Sequence, residues 1–120
     1  MLKRHTISFK HALNGLLWSL KTQPNYRIHI FLSILSIVGG FVYKISYYEF
    51  LFIIFLITVG LVIETINTGL EETTDAIDTK IREDIKIAKD VAAAAMLIYA
   101  LGALTIASII FIPKIFINFY

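Results

Sequence analysis

The chain contains no cysteine. Disulfides and thiolate metal sites are excluded, and the redox compartment cannot be read. No GxxxxGK[ST] or GxGxxG loop occurs either, so any nucleotide site must be of another design. Charge is scarce. Lysine and arginine number 11, aspartate and glutamate 9, and the net +2 without a basic block argues against nucleic acid. The N-terminal "MLKRHTISFKH" is basic, but no apolar run stands close behind it. A cleavable signal peptide is therefore not expected, although the later "IHIFLSILSIVGG" mimics one. What the chain has in abundance is apolar surface. Of 120 residues 58% are hydrophobic, and mean hydropathy is +0.76. A soluble fold this small could not hide so much. The reading is an all-α integral membrane protein, one domain over residues 1–120.

Four helical segments are expected. Phe9, Leu13, Leu16, Leu17 and Leu20 recur at helical spacing, with Lys10, Asn14 and Lys21 largely off that stripe. This is the pattern of an amphipathic helix resting on a membrane surface. "IHIFLSILSIVGGFVY" (28–43) follows as a slightly short first span, and "KISYYE" supplies a polar turn with interfacial tyrosines. The apolar part of the second span, from Phe50 to Ile63, is too short to cross a core of roughly 30 Å at about 1.5 Å per residue. That helix is expected to begin among the tyrosines and to continue into the polar residues beyond. "AIDTKIREDIK" reads as a charged connection, and residues 91–112 as a third span that Pro113 ends. Lys3, Arg4, Lys10, Lys21 and Arg27 precede the first span, and Lys80, Arg82, Lys86 and Lys89 lie between the second and third. Lys44 and Lys114 fall on the other side. The positive-inside bias puts the N-terminus in the cytoplasm and the C-terminus outside.

The second span runs into "ETINTGLEETTD", residues 64–75, where an ordinary exit would carry a lysine or two. Glu64, Asn67, Thr68, Glu71, Asp75 and Asp78 follow helical spacing, so they share one face. Glu64, adjoining Val62 and Ile63, is the deepest. An ionisable side chain at membrane depth is a functional candidate by default. Carboxylates gathered on one stripe suit a hard divalent cation, and Mg²⁺ takes one or two of them together with substrate phosphates. Asp78 and Glu72 also fit a solvated helix end. Lys89 and Asp90, at the entrance of the third span, would serve alone as a snorkelling lysine and a helix-dipole partner. Beside the acidic face they form a candidate phosphate site. The alanines at 92–95 read as packing residues. His5, His11 and His29 lack metal-ligand spacing and read as interfacial, as do Trp18 and Tyr26, while Tyr99 fits either packing or a lipid pocket.

"ETINTGLEETTD", followed thirteen residues later by "AKDVAAAAMLI" and preceded by "NYRIH", resembles the prokaryotic diacylglycerol kinase family, which includes the undecaprenol kinases of Gram-positive bacteria. The resemblance covers nearly the whole chain. It implies a homotrimeric enzyme of the bacterial cell membrane with a cytoplasmic site, moving the γ-phosphoryl of ATP to the hydroxyl of diacylglycerol or undecaprenol with Mg²⁺. By that similarity Glu64 matches the general base and Glu71 a metal ligand. Asn67, Asp75, Lys89 and Asp90 match nucleotide-site positions. The family's metal-binding glutamate before the arginine matching Arg27 is Gln23 here, which offers a carbonyl oxygen without charge. A weaker hold on the cation, or compensation by Glu72, is the expected consequence.

Two other functions fit the composition. One is a small ion-coupled transporter subunit with Glu64 as a proton relay; the other is a silent scaffold of the same fold, which Gln23 makes conceivable. A relay favours acids in the interiors of several spans, yet here they cluster at one mouth. The kinase reading is preferred. An isolated monomer would leave the stripe facing lipid or water, so an oligomer in which a neighbour's Lys89–Asp90 patch or surface helix covers it is expected.

Overall fold

The computed structural model describes residues 2–80 and 82–117, with side chains from residue 5 onward. The side chains of Lys3 and Arg4, counted in the charge asymmetry, and Ile81 of the connection lie outside that description. The described residues form four helices: α1 (Leu2–Thr22), α2 (Pro24–Val42), α3 (Tyr47–Ile77) and α4 (Glu83–Ile117). Of these, α2, α3 and α4 are long and apolar enough to cross a membrane.

Local chemistry sets each boundary. A proline disfavours helical geometry in the residue before it, and Gln23 is extended at φ −98°, ψ 112°. Pro24 then opens α2 at a position that needs no N–H. At its far end α2 closes in a Schellman turn. Lys44 N–H reaches the Phe41 carbonyl at 3.3 Å and Ile45 N–H the Gly40 carbonyl at 3.0 Å. Lys44 takes the left-handed conformation there, φ 50°, usually left to glycine. A capping box starts α3: Ser46 Oγ accepts the Glu49 N–H, and a Glu49 carboxylate oxygen accepts the Ser46 N–H.

As expected, α3 begins among the tyrosines and carries the polar cluster as one helix of 31 residues, about 46 Å at 1.5 Å per residue. The charged connection is shorter than expected, because α3 reaches Ile77 and α4 starts at Glu83. The expected stop at Pro113 is not observed. α4 continues through it to Ile117, as membrane helices do where neighbouring groups and local adjustment accommodate a proline's lost donor and ring. Lys114, just beyond, pairs with Glu49 at 3.1 Å and ties the ends of α4 and α3 together.

α3 is the central element, packed against α4, α2 and α1. A small core of Ile45, Ile53 and Ile110, with Phe50, Ile57 and Phe111 against it, lies at the end away from the acids. Many large apolar side chains, Phe31, Phe55, Leu104 and Ile109 among them, point outward. That is the surface expected in lipid, where exposed apolar groups carry no penalty.

Candidate functional site

The acidic stripe divides into an enclosed half and an open half. Glu64 is 3% exposed, and Asn67, Thr68 and Thr74 are also buried. Glu71 is half-buried, and Asp75 is exposed. Asp78 does not continue the helical face: it is the C-cap of α3, in extended geometry at φ −158°. There its carboxylate accepts the Lys80 N–H at 2.9 Å. The expectation that a lone chain would leave the stripe facing lipid or water is corrected for its enclosed half. The elbow of α1 and α2 packs over α3, burying Ser19 and Tyr26 with it.

Tyr26, expected as an interface anchor, is 2% exposed, and its hydroxyl lies 3.4 Å from Thr65 Oγ1. His29, expected at the interface, instead brings Nε2 to 3.9 Å from Glu64 Oε2. A signal for both was present. Tyr26, His29, Ser33 and Ser36 recur at i, i+3, i+7 and i+10, a polar stripe on an otherwise apolar helix. All four are buried or half-buried in the fold.

One turn beyond Glu64, the Asn67 side-chain N–H donates to Glu71 Oε1 at 3.2 Å. Asn67 Oδ1 is buried and has no hydrogen-bond partner among the described residues. A buried amide oxygen left unpaired is costly. Together with the Glu71 carboxylate it makes an oxygen-rich position suited to a hard cation. Among the described residues no group of three or more His, Asp or Glu gathers closely enough to hold a metal unaided. Gln23 sits at the α1–α2 break, half-buried, and does not cap α2 with its side chain.

The second polar patch meets the first. Lys89 Nζ contacts Asp75 Oδ1 at 2.5 Å, and Lys86 pairs with Asp90 at 3.0 Å. Asp75, Asp78, Lys89 and Asp90 line an open cleft of about 310 Å³ together with Arg82 and Lys86. The cleft thus mixes carboxylates with cationic side chains. Of the alanines expected as packing residues, Ala92 is half-buried against the α3–α4 seam. Ala88, Ala92 and Ala95 line a groove of about 550 Å³ with Ile63, Ile66 and Leu70. His5 and His11 are exposed on α1. Tyr99 fits both of its expected roles, since its hydroxyl donates to the Leu56 carbonyl while its ring lines a third cavity.

Three apolar helices, with an enclosed carboxylate where α3 turns polar, define a small helical membrane protein with a site at one end of its spans. The family model of prokaryotic diacylglycerol kinase matches residues 10–111, and the chain belongs to that family. It is 33% identical over 114 residues to an undecaprenol kinase of Bacillus subtilis, covering 95% of this chain and 93% of that protein. It is also 28% identical over 110 residues to a diacylglycerol kinase of Synechocystis sp., covering 91% of this chain and 63% of that protein.

Proposed function

We propose that the chain is an ATP-dependent lipid kinase of the bacterial cell membrane that phosphorylates the hydroxyl of a polyprenol such as undecaprenol or of diacylglycerol. The observation that carries this reading, within the family, is the enclosure of Glu64 at the junction of apolar and polar α3. A base at that depth meets the hydroxyl of a lipid whose chains stay in the bilayer. Groups further along α3 meet a nucleotide arriving from water. The cytoplasmic side is assigned to the Asp75 end, which carries Lys80, Arg82, Lys86 and Lys89, with Lys44 and Lys114 outside.

Phosphoryl transfer needs positioning, charge neutralisation and a group that takes the hydroxyl proton. Glu64 accepts that proton as the lipid oxygen bonds to the γ-phosphorus. The bond from that phosphorus to the bridging oxygen breaks, and ADP leaves. Glu71 and the unpaired Asn67 oxygen would hold Mg²⁺, which when bound neutralises phosphate charge. Lys89 would exchange its contact with Asp75 for a phosphate, and Asp75 and Asp90 would border the nucleotide. The exposed Lys89–Asp75 pair holds little energy against such an exchange.

The test is ATP consumption by detergent-solubilised protein given undecaprenol or diacylglycerol. Lipid-dependent ADP release with either alcohol is expected, and none with both would overturn the proposal.

A further inference from the structure

A carboxylate enclosed at membrane depth needs a partner. Among the described residues, the basic side chain that reaches Glu64 is His29, Nε2 to Oε2 at 3.9 Å. Among the described residues no lysine or arginine forms an ion pair with Glu64; Lys89 is on Asp75, Lys86 on Asp90 and Arg82 on Asp84. The imidazole ring stands beside Tyr99 of α4, with centroids 6.4 Å apart. Tyr99 is itself fixed by its hydroxyl on the Leu56 carbonyl and by its seat on Gly60. His29 and Tyr99 also line a cavity of about 400 Å³ with Ser36, Ile53 and Leu104. The imidazole therefore stands between an apolar cavity inside the membrane and the enclosed carboxylate.

We infer that His29 is the positioning residue of Glu64: its Nε2–H holds one carboxylate oxygen and turns the other toward the lipid hydroxyl. This rests on the reading of Glu64 as the base of a lipid kinase. At 3.9 Å the contact is longer than a hydrogen bond. Such contacts tighten when substrate is bound. His29 neither gains nor loses a proton in the step, because the hydroxyl proton ends on Glu64. A histidine that merely satisfied a buried charge would affect folding and leave turnover of the folded protein alone.

The experiment compares His29→Leu, His29→Gln and His29→Asn in solubilised protein, with kcat and the KM for ATP measured on the better lipid alcohol. Gln places an N–H near the position of Nε2, whereas Asn is one methylene too short. Loss of the contact should lower kcat by about 10- to 100-fold in the Leu and Asn variants, with KM for ATP unchanged and most of the turnover restored by Gln. The inference is overturned if the Leu variant turns over like the wild type, or if Gln is no faster than Asn. Should the wild type phosphorylate neither lipid, the kinase reading falls by itself. The pairing is then read from the ¹⁵N resonances of His29, which should shift on Glu64→Gln; unshifted resonances would overturn it.

Discussion

Glu64 and Glu71 stand on one face of α3 in different surroundings, and the proposed function gives them different tasks. Glu64 is enclosed, and as the proposed base it would meet a hydroxyl rather than water. Replacing it by glutamine keeps size and hydrogen bonding but removes the proton acceptor. Glu64→Gln should lower lipid phosphorylation by at least about 10²-fold, with gel-filtration elution and thermal unfolding unchanged. Near-normal turnover would reject it as the base. Glu71 is half-buried and held by Asn67 at 3.2 Å, which presents its carboxylate beside the unpaired amide oxygen. Glu71→Ala should depress turnover and sharply raise the Mg²⁺ concentration required, read by titration. On the same logic Gln23→Glu should lower that requirement; an unchanged titration would remove position 23 from the cation's surroundings.

At the scale of the helices, α3 and α4 are joined at their ends by ion pairs and in the middle by a close approach at Gly60. A Cβ there would come within 2.5 Å of the Tyr99 hydroxyl oxygen. Gly102, on α4, has nothing within 4 Å. Gly60→Ala should therefore destabilise the folded chain by about 1–3 kcal/mol, the range for overpacking. Gly102→Ala should stabilise it by up to about 1 kcal/mol through helix propensity. Thermal unfolding in detergent checks both, and equal effects of the two substitutions would contradict the seating of Tyr99. Because Tyr99 stands beside His29, the Gly60 substitution should also slow turnover.

The whole molecule is thin, 57 × 43 × 22 Å, and its polar groups are spread along α3. Glu64 and Asp75 lie about 16 Å apart along that helix at about 1.5 Å per residue, and Lys89 is at the Asp75 end. A lysine gripping the terminal phosphates has to lie much closer than that to the base. A Lys89 supplied by a neighbouring chain would meet the requirement, and the open groove lined by Ala88, Ala92 and Ala95 offers small residues for a second helix. We therefore propose a symmetric oligomer, three copies by the family resemblance, with sites built between chains. Mixing inactive Glu64→Gln chains with inactive Lys89→Ala chains before assembly should restore part of the activity. No recovery, with mixed oligomers shown to form, would place both residues of a working site in one chain.

Periodicity and composition alone determined four helices, three of them able to span a membrane, and the extension of α3 into its polar end. They also gathered Glu64, Asn67 and Glu71 on one face, because spacing along a helix translates directly into direction around it. The motif pair carried the family, which the match over residues 10–111 bears out. Other features depended on which helices meet. His29 and Tyr26 belong to the surroundings of α3 because α2 lies against it, and no spacing within "NYRIH" names the partner helix. The enclosure of Glu64 by the α1–α2 elbow, the contact of Lys89 with Asp75 fourteen residues away, and the open alanine groove are likewise matters of packing. The passage of α4 through Pro113 also goes with packing, with Ile110 and Phe111 in or against the small core and Lys114 paired with Glu49. Sequence sets the direction of each side chain on its own helix; the tertiary structure decides what that side chain meets.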